Sequence, residues 1–322
     1  NYALDILQDI LENTTFNDYE KETIKIKGEF ASDLDSARVM AQEEYYRTIF
    51  KNHPYGIGRK EILEQIDSIT KDEILAEFNK IKFNSEKNIS VAGDIDSKYI
   101  LNLLEKHLGS LKIENPNFKR EKVQNLKENL ISVVTKEDAN QAQIFKGWIF
   151  PDIFSPDYPV IILLNTILGS SGLSSRLFLE LREKQGLAYT VRSIFEPYLL
   201  GGSFTVYIAT EPKNINVSIS GFDKEINKIM TEFISKEELE NAKNNAIGKR
   251  QFYRETNLLE ASLNGYYELL ELGFEFEENL INSIKSVTKE QIIETAKRYF
   301  SGNNALCVLA PEKYLKEAGL LK

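Results

Sequence analysis

Two stretches of this 322-residue chain, SITKDEI at 68–74 and SVTKEQI at 286–292, read nearly alike at a spacing of 218 residues. The same register recurs around them. FNDYEKETIKIK (16–27) overlays ISKEELENAKNN (234–245), and NISVAG (88–93) overlays ALCVLA (305–310) at 217. One register shared by three pairs predicts an internal duplication, and each copy must then bury the same faces in the same way. On that register residues 1–13 overlay a helix at 219–231. About 90 residues, mostly strand-like, stand before that helix in the second copy, and none stand before residue 1. Helices with no sheet to lie on leave their apolar faces in water. The first copy is therefore expected to take its early strands from outside these residues: the chain begins late, was clipped, or meets another chain that supplies them.

The coarse pattern fills in the rest. NYALDILQDILEN (1–13) has Leu4, Leu7, Ile10 and Leu11 on one helical face. A long helical pattern over 17–50 is interrupted near Gly28 and near Ser32–Asp35, and HPYG (53–56) reads as a turn. A capping box of Thr70 and Glu73 opens a helix over 68–83. NISVAGD (88–94) reads as a short buried strand, and 96–111 as a helix closed by Gly109. Residues 112–128 are polar and aperiodic and read as a linker. Beyond it, 130–136, 142–150, 187–198, 201–210 and 305–310 read as strands, with a helix at 157–168 and a helical stretch after Thr210. The expected fold is α+β. Two homologous domains are each an antiparallel-rich sheet covered by helices, and the first is incomplete at its N-terminus. The division is 1–111, linker 112–128, and 129–322.

Composition excludes several classes. A net charge of -9 with no basic cluster speaks against a nucleic-acid partner. No run of about 18 apolar residues predicts a membrane span. The single cysteine, Cys307, excludes an internal disulfide and sits in the apolar run ALCVLA, as a core thiol does. No targeting segment is visible, so the compartment is left open.

The densest local signal is SGLSSRLFLELREKQGLAYTVRS at 171–193. Ser174 or Ser175 is a candidate N-cap, Leu177, Phe178, Leu179 and Leu181 give an apolar helical face, and Gly186 stops the helix. A β-rich run follows at once, so Arg182 and Tyr189 flank a helix-to-strand turn.

This run resembles the C-terminal half of the pitrilysin/insulinase family of zinc metallopeptidases, which includes the mitochondrial processing peptidases. The segments FNDYEKETIKIKGEF, YYRTIFKNHPYG, IDSITKDEILAEF and NISVAGDID resemble the later part of that family's N-terminal half. The family's zinc site is an inverted His-x-x-Glu-His motif on a helix, plus a Glu some tens of residues later. The two histidines here, His53 and His107, lie in no such motif. The resemblance assigns the later metal ligand to Glu29, and a supporting role to Glu22, seven residues earlier and so on the same side of a helix. On the 218 register Glu29 pairs with Ile247, so the second copy lacks that ligand. The resemblance also assigns Arg182 and Tyr189 to the non-catalytic half, where Arg holds a peptide carbonyl and the Tyr hydroxyl stabilises the oxyanion of a tetrahedral intermediate.

The function this implies is zinc-dependent cleavage of peptides or unfolded segments by the intact protein. Zinc is the expected cofactor there, not bound by these residues alone, and the chain as given is expected to be inactive. Partners implied are a peptide or unfolded substrate and a homodimer or a heterodimer with a related subunit. The alternatives are a non-catalytic peptide-binding or structural subunit beside an active partner, and a general peptide-binding scaffold without zinc.

Overall fold

The structure is a computed structural model and describes residues 2–111, 120–232 and 234–322. Residues 112–119 of the expected linker lie outside the described residues. In chain order the described residues form α1 (Tyr2–Asn13), α2 (Tyr19–Leu34), α3 (Ala37–Ile49), α4 (Arg59–Gln65), α5 (Lys71–Asn84) and α6 (Ser97–Leu108). Then come β1 (Leu130–Thr135), β2 (Ala142–Phe150), α7 (Tyr158–Asn165), β3 (Ala188–Tyr198) and β4 (Gly201–Thr210). The chain ends with α8 (Ile215–Thr231), α9 (Lys236–Phe252), α10 (Asn257–Leu269), α11 (Phe276–Ser286), α12 (Lys289–Phe300), β5 (Asn304–Ala310) and α13 (Glu312–Glu317).

Contacts divide the chain into two units, each built from separated segments: 1–29, 62–119 and 250–278 in one, and 30–61, 120–249 and 279–322 in the other. The second unit holds a five-stranded sheet in the order β1-β5-β2-β4-β3. The β1–β5 pair is parallel and the other three pairs are antiparallel. Both faces are covered, so β2, β4 and β5 are buried almost end to end rather than alternately. On one face Phe300 of α12 packs against Trp148 and Phe204, at ring separations of 4.9 and 5.1 Å. On the other lies α3, whose Ala41, Tyr45 and Ile49 meet Phe145, Tyr207 and Cys307. A methyl group on Gly147 would lie 1.9 Å from the Tyr45 hydroxyl, so the strand needs glycine where the helix crosses it. That hydroxyl is 2.7 Å from Thr205 Oγ1, which satisfies it in the core.

Every regular element among the described residues of the other unit is a helix. α1 lies on α6, and Lys82 of α5 donates to the Leu11 carbonyl at 2.7 Å. Its side chains are poorly covered: of 28 exposed large hydrophobic residues among the described residues, 21 lie in this unit. The expected buried strand at 88–94 is absent. Residues 88–92 belong to no helix or strand, and Ile89 and Val91 are 51% and 46% exposed. The alternating residues are those of a strand, but a strand needs a neighbour for its backbone groups, and no described segment of this unit supplies one. The expected interruption at Gly28 is also absent: α2 runs through it, with open space beside the Cα, and breaks at Asp35–Ser36. One glycine costs a helix only about 1 kcal/mol relative to alanine, too little to end it.

The capping boxes are present at both ends of the 218 spacing, Thr70 with Glu73 on α5 and Thr288 with Gln291 on α12. The helices from α1 to α5 are matched in order, at that spacing, by α8 to α12.

Candidate functional site

Residues 171–193 fold as a turn of 3₁₀ helix at Gly172–Ser174, a helix from 176 that widens to π geometry over Phe178–Lys184, and then β3. Ser175 is the extended residue before the helix, and its hydroxyl donates back to the Gly172 carbonyl at 2.7 Å. Gly186 adopts φ +63°, the left-handed conformation that suits glycine at a helix end. The amides of Gly186 and Leu187 bond to the Arg182 and Leu181 carbonyls at 3.0 and 2.9 Å, closing the helix before the strand starts. Leu177 and Leu181 are fully buried and anchor the helix.

This turn brings Arg182 and Tyr189 together. The ladder pairs Ala188 with Thr210 and Thr190 with Ala209, so Tyr189 is the extra residue of a β-bulge on the edge strand. A bulge re-aims its side chain, and Tyr189 is 79% exposed. Arg182 Nη1 donates to the Tyr189 carbonyl at 2.8 Å. Its guanidinium carbon lies 4.6 Å from both the Phe178 and the Tyr189 ring centroids, within cation–π range. Arg182 thus fixes the bulge from behind, and the Tyr189 hydroxyl is presented to solvent as a donor. Phe178 is the member that sequence reasoning missed as a site residue. Its signal was the four-residue spacing to Arg182, which stacks side chains on one helical face.

Glu22 and Glu29 lie on the uninterrupted α2, so their seven-residue spacing spans nearly two turns. Both are exposed. Glu22 is 3.6 Å from Lys25, and Glu29 has no hydrogen bond or ion pair among the described residues. His53 caps the 3₁₀ turn after α3: Nδ1 accepts from the Tyr55 amide at 3.2 Å, and Nε2 is 3.0 Å from the Glu121 carbonyl. Both ring nitrogens are engaged, which leaves none for a metal. His107 is 6% exposed at the end of α6, with Nδ1 3.0 Å from Gln8 Oε1 on α1. No group of three or more His, Cys, Asp or Glu among the described residues could hold a metal ion. These residues therefore do not fit a zinc site by themselves. No described helix is long and apolar enough to cross a membrane.

This helix–bulge–strand junction sits at the edge of an α+β fold built on one five-stranded sheet, and comparison with known proteins places that fold in a family. The model for the "Peptidase M16 inactive domain" matches residues 68–246, more than half of the chain. The chain belongs to the peptidase M16 family, the pitrilysin type that residues 171–193 resemble, and these residues lack its zinc motif. A Rickettsia bellii protein named an uncharacterized zinc protease is 29% identical over 315 residues, which cover 97% of this chain and 75% of that protein. The Bacillus subtilis uncharacterized zinc protease YmxG is 28% identical over 320 residues, with the same shares. A solved structure described as the peptidase M16 inactive domain from Pseudomonas fluorescens superposes with a TM-score of 0.84 at 20% identity, covering 96% of this chain and 74% of that one. At that identity the superposition speaks to the fold.

Proposed function

We propose that the intact protein is a zinc-dependent endopeptidase acting on peptides or unfolded segments, in which residues 129–322 form the half that engages substrate without holding metal. The Arg182–Tyr189 junction carries this reading. A bulged, solvent-facing Tyr on an edge strand, backed by an arginine already committed to positioning it, is arranged to donate a hydrogen bond to a peptide carbonyl oxygen. Preorganised donors of this kind act where negative charge develops on the carbonyl. Residues 1–111 are the later part of the other half, with Glu29 as one metal ligand and Glu22 beside it. The remaining donors come from outside these residues.

The bare apolar faces of the helical unit and the unpaired 88–93 segment support the same reading, since strands in cis or from a partner subunit would cover them. In the intact protein the amides of 88–93 are then protected from hydrogen exchange. Free exchange there would remove this support.

The test is made on the intact protein, with zinc content and cleavage of an unstructured peptide measured side by side. Glu29→Gln is expected to lower zinc content and abolish cleavage. Tyr189→Phe is expected to lower kcat at unchanged zinc content. Unchanged zinc affinity in Glu29→Gln would refute the ligand assignment. A second reading is a non-catalytic peptide-binding subunit beside an active partner. It predicts peptide binding by zinc-free intact protein and no cleavage unless a related subunit is added.

A further inference from the structure

Among the described residues, seven of the ten arginines form an ion pair with a carboxylate. Arg38, Arg192 and Arg120 form none, although the chain carries 49 acidic residues, and the first two of these share one face of the sheet. These two are neighbours. Arg192 lies on the edge strand β3 directly across from Tyr207 of β4. Arg38 lies in the first turn of α3, the helix that covers this face of the sheet. Both guanidinium groups sit over the one Tyr207 ring, with their carbons 5.3 and 5.8 Å from its centroid.

Two cations at one ring repel each other, and burial works against charge there as well. Burial first, and the Arg38 charge second, push Arg192 below the ordinary guanidinium value. The carboxylate whose charge reaches Arg192 is Glu196, and both its oxygens accept from the Tyr46 hydroxyl, at 2.8 and 2.7 Å. Arg192 Nε is buried with no hydrogen-bond partner. A buried donor left unmade is uncommon in folded proteins and asks for an acceptor. Ser36, the N-cap of α3, makes no side-chain cap, so the first-turn amides beside Arg38 add to the positive potential.

We infer that Arg38 and Arg192 form a receptor for the carboxylate side chain of an extended peptide laid along the outer edge of β3. A carboxylate matches the guanidinium fork in plane and in charge. It would supply the missing acceptor for Nε and separate the two cations. The peptide is the source of the carboxylate because β3 pairs with β4 alone among the described residues, which leaves its other edge for strand addition. Side chains of an added strand alternate between faces, so only every second peptide position faces Arg192. The site therefore selects an acidic residue at a fixed register from whatever contacts Tyr189, whose bulge lies at the start of the same strand. This inference rests on the peptide-engaging reading above and names a substrate preference for it.

The test is a binding measurement on the intact protein with a chelator present, so that bound peptide is not cut. A short fluorescein-labelled peptide of Thr, Val and Ala carries one Glu, moved through each position in turn, with Gln at that position as control. At one position, or at alternate positions, Glu is expected to improve affinity about tenfold over Gln, as a charge-assisted hydrogen bond does. The advantage should shrink at high salt. Arg192→Gln and the exposed Arg38→Gln should each remove the preference, so that the Glu and Gln peptides bind alike. Equal affinity of the Glu and Gln peptides at every position, or a preference that survives both substitutions, overturns the proposal. Binding of the Gln series with no Glu preference removes this site alone. Failure of both series to bind removes the site together with the peptide-engaging reading.

Discussion

Replacing Arg250 with methionine isolates the cost of stranding a buried carboxylate. Glu277, at the start of α11, is 1% exposed. Its two oxygens accept from Arg250 Nε and Nη2 at 2.6 and 2.7 Å, and one also accepts from the Tyr267 hydroxyl. This group ties α9, α10 and α11 together. Arg250→Met keeps the aliphatic stem and removes the charge and both donors. Breaking one side of such a pair costs about 3–5 kcal/mol, because the remaining ion is left uncompensated. The Tyr267 hydroxyl still serves the carboxylate, which argues for the lower end. Proton uptake sets a ceiling, since neutralising an ordinary glutamate at pH 7 costs about 3.7 kcal/mol. At pH 5 the same ceiling is about 1 kcal/mol. The sign follows: the fold favours the neutral form of the stranded group, so the penalty is absent below the ordinary carboxyl range and grows as pH rises. Urea unfolding followed by circular dichroism at pH 5 and pH 7 measures it, with hydrogen exchange at α10 to locate the loss. The double variant Arg250→Met/Glu277→Leu should return to within about 1 kcal/mol of the parent, since an apolar pair carries no desolvated charge. A loss under about 1 kcal/mol at pH 7, or one independent of pH, would refute the reasoning.

Three further outcomes are expected. The Arg47 hydrogen bond holds Glu61 down at about 2, against 4.5 ordinarily, so its stabilisation is complete above pH 4.5 and is lost as pH falls toward 2. The gap in thermal midpoint between the parent and Glu61→Gln should narrow to nothing across that window. Burial pushes the Cys307 thiol up to about 12, so iodoacetamide at pH 8 should leave it unlabelled until urea unfolds the sheet. Gly147→Ala should cost about 1–3 kcal/mol by overpacking, and the thermal shift should shrink in a Tyr45→Phe background, which removes the atom struck first.

Much of the second unit was legible from residues alone. β2 and β4 fall where 142–150 and 201–210 were read, and β3 begins one residue later than its reading, because local residue preference and burial pointed the same way there. The capping box of Thr70 and Glu73 formed as well, since a cap is a contact between residues three apart. The segment 88–94 failed for the opposite reason: its apolar alternation describes a strand, but strand formation depends on a neighbour that the pattern does not name. The candidate site divides in the same way. Arg182, Tyr189, Glu22 and Glu29 were picked out through a family resemblance, whereas the bulge that turns Tyr189 outward depends on how β3 meets β4.

By itself the sequence determined where helices and strands form in the second unit, the stop at Gly186, the core place of Cys307, and the 218-residue register of matching segments. Each of these rests on neighbours close along the chain or on a pattern of apolar residues. Only the tertiary structure decided that α3, early in the chain, covers the sheet of the late strands, that Arg38 meets Arg192 over Tyr207, and that 88–93 stands unpaired. Those outcomes join residues far apart in the chain, and such contacts are set by which surfaces remain to be buried once local structure has formed.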